Sequence, residues 1–165
     1  MEPPDPEAAA LAALALLGLP HERLACDPAA ADTAAFCERY GHPPEKVANT
    51  ILVASKREPR RHAACVVPAS KLLDVNHAVR RLLGVPRLSF ASADETMRLT
   101  GMMVGGVTPF GLPEGLPVFV DADLMEVDYV ILGGGGRTSK LKVTPDALRS
   151  IPGVQIVAGL AGPRP

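Results

Sequence analysis

Thr100-Gly101-Met102-Met103-Val104-Gly105-Gly106-Val107-Thr108-Pro109-Phe110-Gly111-Leu112-Pro113 sets four glycines and two prolines among apolar residues. Glycine admits φ > 0 and lets a second backbone or a ligand come close, while proline fixes φ and removes a donor. Gly105-Gly106 followed by Thr108-Pro109 reads as a shaped loop with exposed backbone amides. Such amides bind a carbonyl, carboxylate or phosphate oxygen without a charged side chain. Glycine content alone favours the plainer reading, a buried crossover between strands.

On the N-terminal side of this loop the pattern alternates helices and strands. Asp5 is placed to cap a helix from about Pro6 to Leu17, with Gly18 at its end and Leu11, Leu14, Leu16 and Leu17 as its buried side. Leu24-Ala25-Cys26 suits a short strand. A second helix starts at Asp32 or Thr33, runs through Tyr40 and stops at Gly41 and Pro43-Pro44. Val47 to Ser55 and His62 to Val67 are β-branched and apolar, as buried strands require. The charged run Lys56-Arg57-Glu58-Pro59-Arg60-Arg61 turns between them. Asp74 caps a helix through Leu83, Leu88 to Phe90 suits a strand, and Ser92 caps a helix from Ala93 to about Leu99.

On the C-terminal side, Pro117 to Val120 and Tyr129 to Leu132 read as strands. A second glycine cluster, Gly133 to Gly136, leads into a strand from Lys140 to Val143. Thr144 then caps a helix with Pro145 at its first position, ending near Ile151. Val154 to Val157 is a last strand, and Gly162 to Pro165 reads as a tail. The order mixes βα units with hairpins, which predicts a mixed α/β chain with a curved mixed sheet flanked by helices. No repeat or linker interrupts it, so one domain is expected over residues 1–165, with its core at about 8–158.

Composition narrows the function. The sequence has 165 residues, 47% of them hydrophobic and 21% charged, with a net charge of −1. That is globular, and it supplies no global basic field for nucleic acid. Any RNA contact must come from a local patch, for which Arg57, Arg60 and Arg61 are candidates. Cys26, Cys37 and Cys65 are odd in number and contain no Cys-x-x-Cys, which fits a reducing compartment. His62 and Cys65 have a ligand-like gap but no second pair to complete a metal site. The apolar run Ala8 to Leu19 carries Glu2, Asp5 and Glu7 in place of a basic leader, so a cytoplasmic location is expected.

Catalytic signatures are few. Gly133-Gly134-Gly135-Gly136-Arg137-Thr138-Ser139-Lys140 fails the phosphate-loop spacing but fits an anion nest or a solvated hairpin. There is no Gly-x-Ser-x-Gly, and His21, His42, His62 and His77 lie far from any obvious Cys or Ser partner. Asp121 and Asp123 fit acids or, better, a helix cap.

The chain resembles the YbaK/EbsC family, stand-alone relatives of the editing domain inserted in bacterial prolyl-tRNA synthetases. The resemblance rests on Val47 to Val53, on Asp74-Val75-Asn76 entering a helix, and on Thr100 to Gly111 with its Gly-x-x-x-Gly-Gly-Val-Thr-Pro element. Leu116-Pro117-Val118 with Asp121, and the Gly133 to Lys140 loop, follow in the family's order. It implies a mixed sheet closing toward a partial barrel, and hydrolysis in trans of a misacylated tRNA, such as Ala or Cys on a proline tRNA. No cofactor or metal is implied. The partners implied are an aminoacyl-tRNA and, beyond it, an aminoacyl-tRNA synthetase, with no membrane.

Carried over by position, Asn49, Gly105, Gly106 and Lys140 are the catalytic candidates. Val107, Thr108, Pro109, Gly134 and Gly135 are the substrate-binding ones. The family's attacking group is a water or the substrate's own ribose hydroxyl, consistent with the missing triad. One departure stands out: family deacylases carry a lysine where this chain has Asn49. Asn keeps hydrogen bonding and loses the charge. Two expectations follow: either Lys140 restores the cation, or the scaffold is a non-catalytic module that binds an aminoacyl group or a tRNA end.

Overall fold

The computed structural model describes residues 5–165; Glu2, which entered the reading of the leader charge, lies outside them. Strands β2 (Ala48–Ser55) and β3 (His62–Pro68) form the centre. They pair antiparallel from Ala48 opposite Pro68 to Ala54 opposite His62. Successive side chains of a strand point to opposite faces, so a pair covered on both sides must be apolar at nearly every position. Leu52, Ala64 and Val66 enter one core, and Val53, Ala63, Cys65 and Val67 enter the other.

β5 (Leu88–Phe90) pairs with the far end of β2, while β6 (Val118–Asp121) and β9 (Val154–Val157) extend the sheet in parallel beyond β3. The order is β5-β2-β3-β6-β9. A second, antiparallel sheet has the order β1-β8-β7, from β1 (His21–Ala25), β7 (Val130–Gly133) and β8 (Ser139–Val143). A parallel bridge between Val47 and Ile131 brings this sheet against the start of β2. The two sheets thus close on each other beside Asn49.

Helix α1 (Pro6–Leu16) is capped by Asp5, whose carboxylate accepts from the Glu7 amide at 3.1 Å. It buries Ala10 and Leu14 on the first core, whereas Leu16 is exposed. The expected leucine face therefore narrows to one stripe, because Leu16 sits about 200° around the helix from Leu14. Helix α2 (Thr33–Tyr40) sets Phe36 into a third cluster with Cys26, Ala31, Val47 and Ile131. Asp74 accepts from His77 N–H at 3.1 Å, and a wide turn at Val75–Val79 runs into α3 (Arg80–Leu83). Ser92 caps α4 (Ala93–Thr100) by accepting from Glu95 N–H at 3.0 Å. Thr144 precedes α5 (Pro145–Arg149) without making a side-chain cap.

The tail is a correction. β10 (Ala161–Pro163) pairs antiparallel with β4 (Lys71–Leu73), and Asp121 accepts from Ala161 N–H at 2.9 Å. A Gly-Pro segment has little intrinsic strand preference, so long-range pairing decides its form. No helix among the described residues is long and apolar enough to cross a membrane.

Candidate active site

The two glycine clusters lock together. Gly135 N–H donates to Gly106 O at 2.6 Å, and Met103 N–H donates to Gly135 O at 3.2 Å. A Cβ on Gly106 would lie 2.0 Å from Gly136 O, and one on Gly133 would lie 2.4 Å from Val107 O. Glycine is required at these positions by the facing backbone. Thr108, Pro109, Gly134 and Gly135 are buried in this layer and form its support.

In front of the layer lies a cleft of about 400 Å³ lined by Asn49, Gly105, Val107 and Lys140, with Thr33 and Arg164 at its wall. Four candidates from distant parts of the chain thus share one cavity, while Gly106 stands one layer behind it. Thr33 Oγ1 donates to Asn49 Oδ1 in a short contact. That leaves the Asn49 amide nitrogen, with two N–H donors, as the group available to a ligand.

Lys140 is 4% exposed. Its Nζ donates to Ala31 O at 2.6 Å and to Gly105 O at 2.7 Å, and it stands 5.5 Å from the centre of the Phe36 ring. Burial holds its pKa below the ordinary lysine value. The ammonium therefore ties the segment before α2 to the glycine loop, and two of its three donors are spent there. Arg137 reinforces the same joint, donating to Val104 O at 2.7 Å, Asp32 Oδ1 at 3.1 Å and Pro28 O at 2.9 Å. Glu7 fixes the other end of the second loop by accepting from Thr138 and Ser139. Burial alone would raise the Glu7 pKa, and these hydrogen bonds together carry it below the usual value.

With the Gly105 carbonyl turned to Lys140, the amides can be counted. Gly106 N–H goes to Met103 O at 2.9 Å, and Thr108 N–H meets Met102 Sδ at 3.5 Å. Among the described residues the Gly105 and Val107 amides have no partner, and both residues line the cleft. Two donors at alternate positions on a loop rigidified from behind suit a carbonyl oxygen gaining charge. Gly106 is packed against backbone as a buried crossover is, while the neighbouring Gly105 lines the cleft.

The arginines of the β2–β3 turn stand elsewhere. Six residues of extended chain separate Asn49 from Ser55, about 20 Å. Arg60 donates to Glu95 at 3.0 Å and to Ser55 O at 3.2 Å, and Arg61 donates to Leu83 O at 2.5 Å. Arg57 is exposed. His62 Nε2 lies 2.7 Å from Glu95, and this contact is the largest cause of the lowered Glu95 pKa. Cys26, Cys37 and Cys65 are free thiols; burial raises all three, Cys65 to about 12. Sequence reasoning missed Arg164, which reaches the cleft only because β10 pairs with β4. Nothing local in Gly162-Pro163-Arg164-Pro165 signals that.

The fold is thus a mixed α/β domain whose two sheets close beside Asn49, with a glycine-locked loop on the other wall of the cleft. The chain belongs to the aminoacyl-tRNA editing domain family, whose model matches residues 27–151. Its fold is similar to that of the hypothetical protein APE2540, with 28% identity, a TM-score of 0.79, and coverage of 90% of this chain and 96% of that one. A candidate trans-editing enzyme for prolyl tRNA synthetase shares the fold at 24% identity and a TM-score of 0.78, over 94% and 98% of the two chains. The uncharacterized protein YwhH of Bacillus subtilis (strain 168) is 37% identical over 57 residues, 34% of this chain and 36% of its own length. That match spans about a third of the relative.

Proposed function

We propose that the protein is a trans-acting aminoacyl-tRNA deacylase, hydrolysing the ester between a wrong amino acid and the 3′-terminal ribose, of the proline-tRNA editing type. The observation that carries this is that Gly105 and Val107, whose amides have no partner among the described residues, line the same cleft as Asn49. The ester carbonyl sits against the two amides, and Asn49 Nδ2 donates to the ribose or the acyl group. A water, oriented by the neighbouring ribose hydroxyl, attacks the carbonyl carbon; the carbon–oxygen bond to the ribose breaks, the released ribose oxygen takes the proton the water gives up, and the amino acid leaves with the water's oxygen in its carboxylate. The amides stabilise the oxyanion only as it forms, which is the condition for lowering the barrier.

A second reading has its own support. Lys140 spends its charge on two carbonyls, and position 49 is neutral, so the scaffold could bind an aminoacyl end without turning it over. A panel of aminoacyl-tRNAs assayed for release of free amino acid separates the two. The deacylase reading requires hydrolysis of at least one member, and Asn49→Ala must slow that hydrolysis. Binding of an uncharged tRNA with no hydrolysis anywhere in the panel supports the binding module.

A further inference from the structure

Resting on the reading of the cleft as a tRNA-end site, we propose that Arg164 binds a backbone phosphate of the tRNA 3′ end. Arg164 stands on the wall of the cleft that holds Asn49 and also on the wall of a neighbouring cleft of about 600 Å³, which Asn49 shares. Its Nε donates to Ala69 O at 2.9 Å. That single bond fixes the guanidinium plane, and the two terminal nitrogens have no partner among the described residues. Glu38 lines the neighbouring cleft but makes no ion pair with Arg164.

The chemistry of the ligand selects what this fork receives. Esterification consumes the α-carboxylate and the α-amino group is cationic, so the acyl part of an amino acid with a neutral side chain offers Arg164 no anion. The anions of a tRNA end are its phosphodiesters, and a planar guanidinium matches two phosphate oxygens at once. Position 49 is neutral, Lys140 is spent on carbonyls, and Asp32, the carboxylate on the same wall, is paired with Arg137 at 3.1 Å, which leaves Arg164 as the cleft's cation with terminal donors open among the described residues. The residue lies outside the segment 27–151 that the family model matches.

The test uses the full chain and two unacylated RNA hairpins, one ending in single-stranded CCA and one lacking the terminal adenosine with its phosphate. The wild type should bind the intact end about tenfold more tightly, the lower end of a charge-assisted contact because Arg164 is exposed. Arg164→Ala should bind both hairpins alike, and its salt slope on the intact hairpin should fall by about 0.7, one single-strand phosphate. Arg164→Lys should regain part of the discrimination, which a merely structural role would not give. If Arg164→Ala keeps the wild-type discrimination, the inference is wrong while the editing reading stands. If the wild type binds neither hairpin and hydrolyses no aminoacyl-tRNA, both fall together.

Discussion

Lys140 is the residue whose role the structure changes most. In sequence it is a candidate replacement for a cation at position 49; in the fold it is a brace between Ala31 and Gly105. Lys140→Ala leaves two carbonyls without their donor, each costing about 1–3 kcal/mol where no water replaces it. A lowered melting temperature together with a lowered kcat is expected. Asn49→Lys should not restore activity in that background, because the lost function is the set of the loop and not a charge. Recovery by Asn49→Lys would show that Lys140 acts on substrate directly. Gly106→Ala drives a Cβ into Gly136 O and should cost at least about 3 kcal/mol in denaturant unfolding. Gly162→Ala has open space around it and should stay within about 0.5 kcal/mol.

Among the elements, legibility follows the range of the interactions that fix them. The caps by Asp5, Asp74 and Ser92 are bonds to amides two or three residues away, so the sequence displays them. The double-sided β2–β3 pair is legible for the same reason, in its unbroken apolar run. β10 exists through β4 and Asp121, some 90 and 40 residues distant, and no local pattern announces it. Arg164 is illegible in consequence, whereas Asn49, Gly105 and Lys140 carry signals of composition and family order. At the joint of α4 and β3, Glu95 gathers His62 and Arg60. Its pKa lies below the ordinary 4.5 in the folded chain, so its contribution is present above about pH 4.5 and is lost as the pH falls through the folded value. Urea midpoints measured downward from pH 6 should fall more steeply for the wild type than for Glu95→Gln. Parallel curves would remove Glu95 from the acid response.

For the whole molecule, a net charge of −1 means that RNA affinity must come from few contacts. Arg57 is exposed, and Arg60 and Arg61, though bonded within the chain, keep their charge; neutralising Arg57, Arg60 and Arg61 together should weaken binding of full-length tRNA while sparing the discrimination of the CCA end. An unchanged tRNA affinity and salt slope would place the RNA body on another face. Turnover of an ester by the amide pair and Asn49 is measured by single-turnover deacylation across a complete aminoacyl-tRNA panel, for the wild type and for Asn49→Ala. At least one mischarged tRNA should be hydrolysed well above the spontaneous rate, and Asn49→Ala should slow that hydrolysis roughly tenfold or more as a hydrogen bond made in the transition state is lost. Hydrolysis at the spontaneous rate for every member of the panel would contradict the deacylase reading.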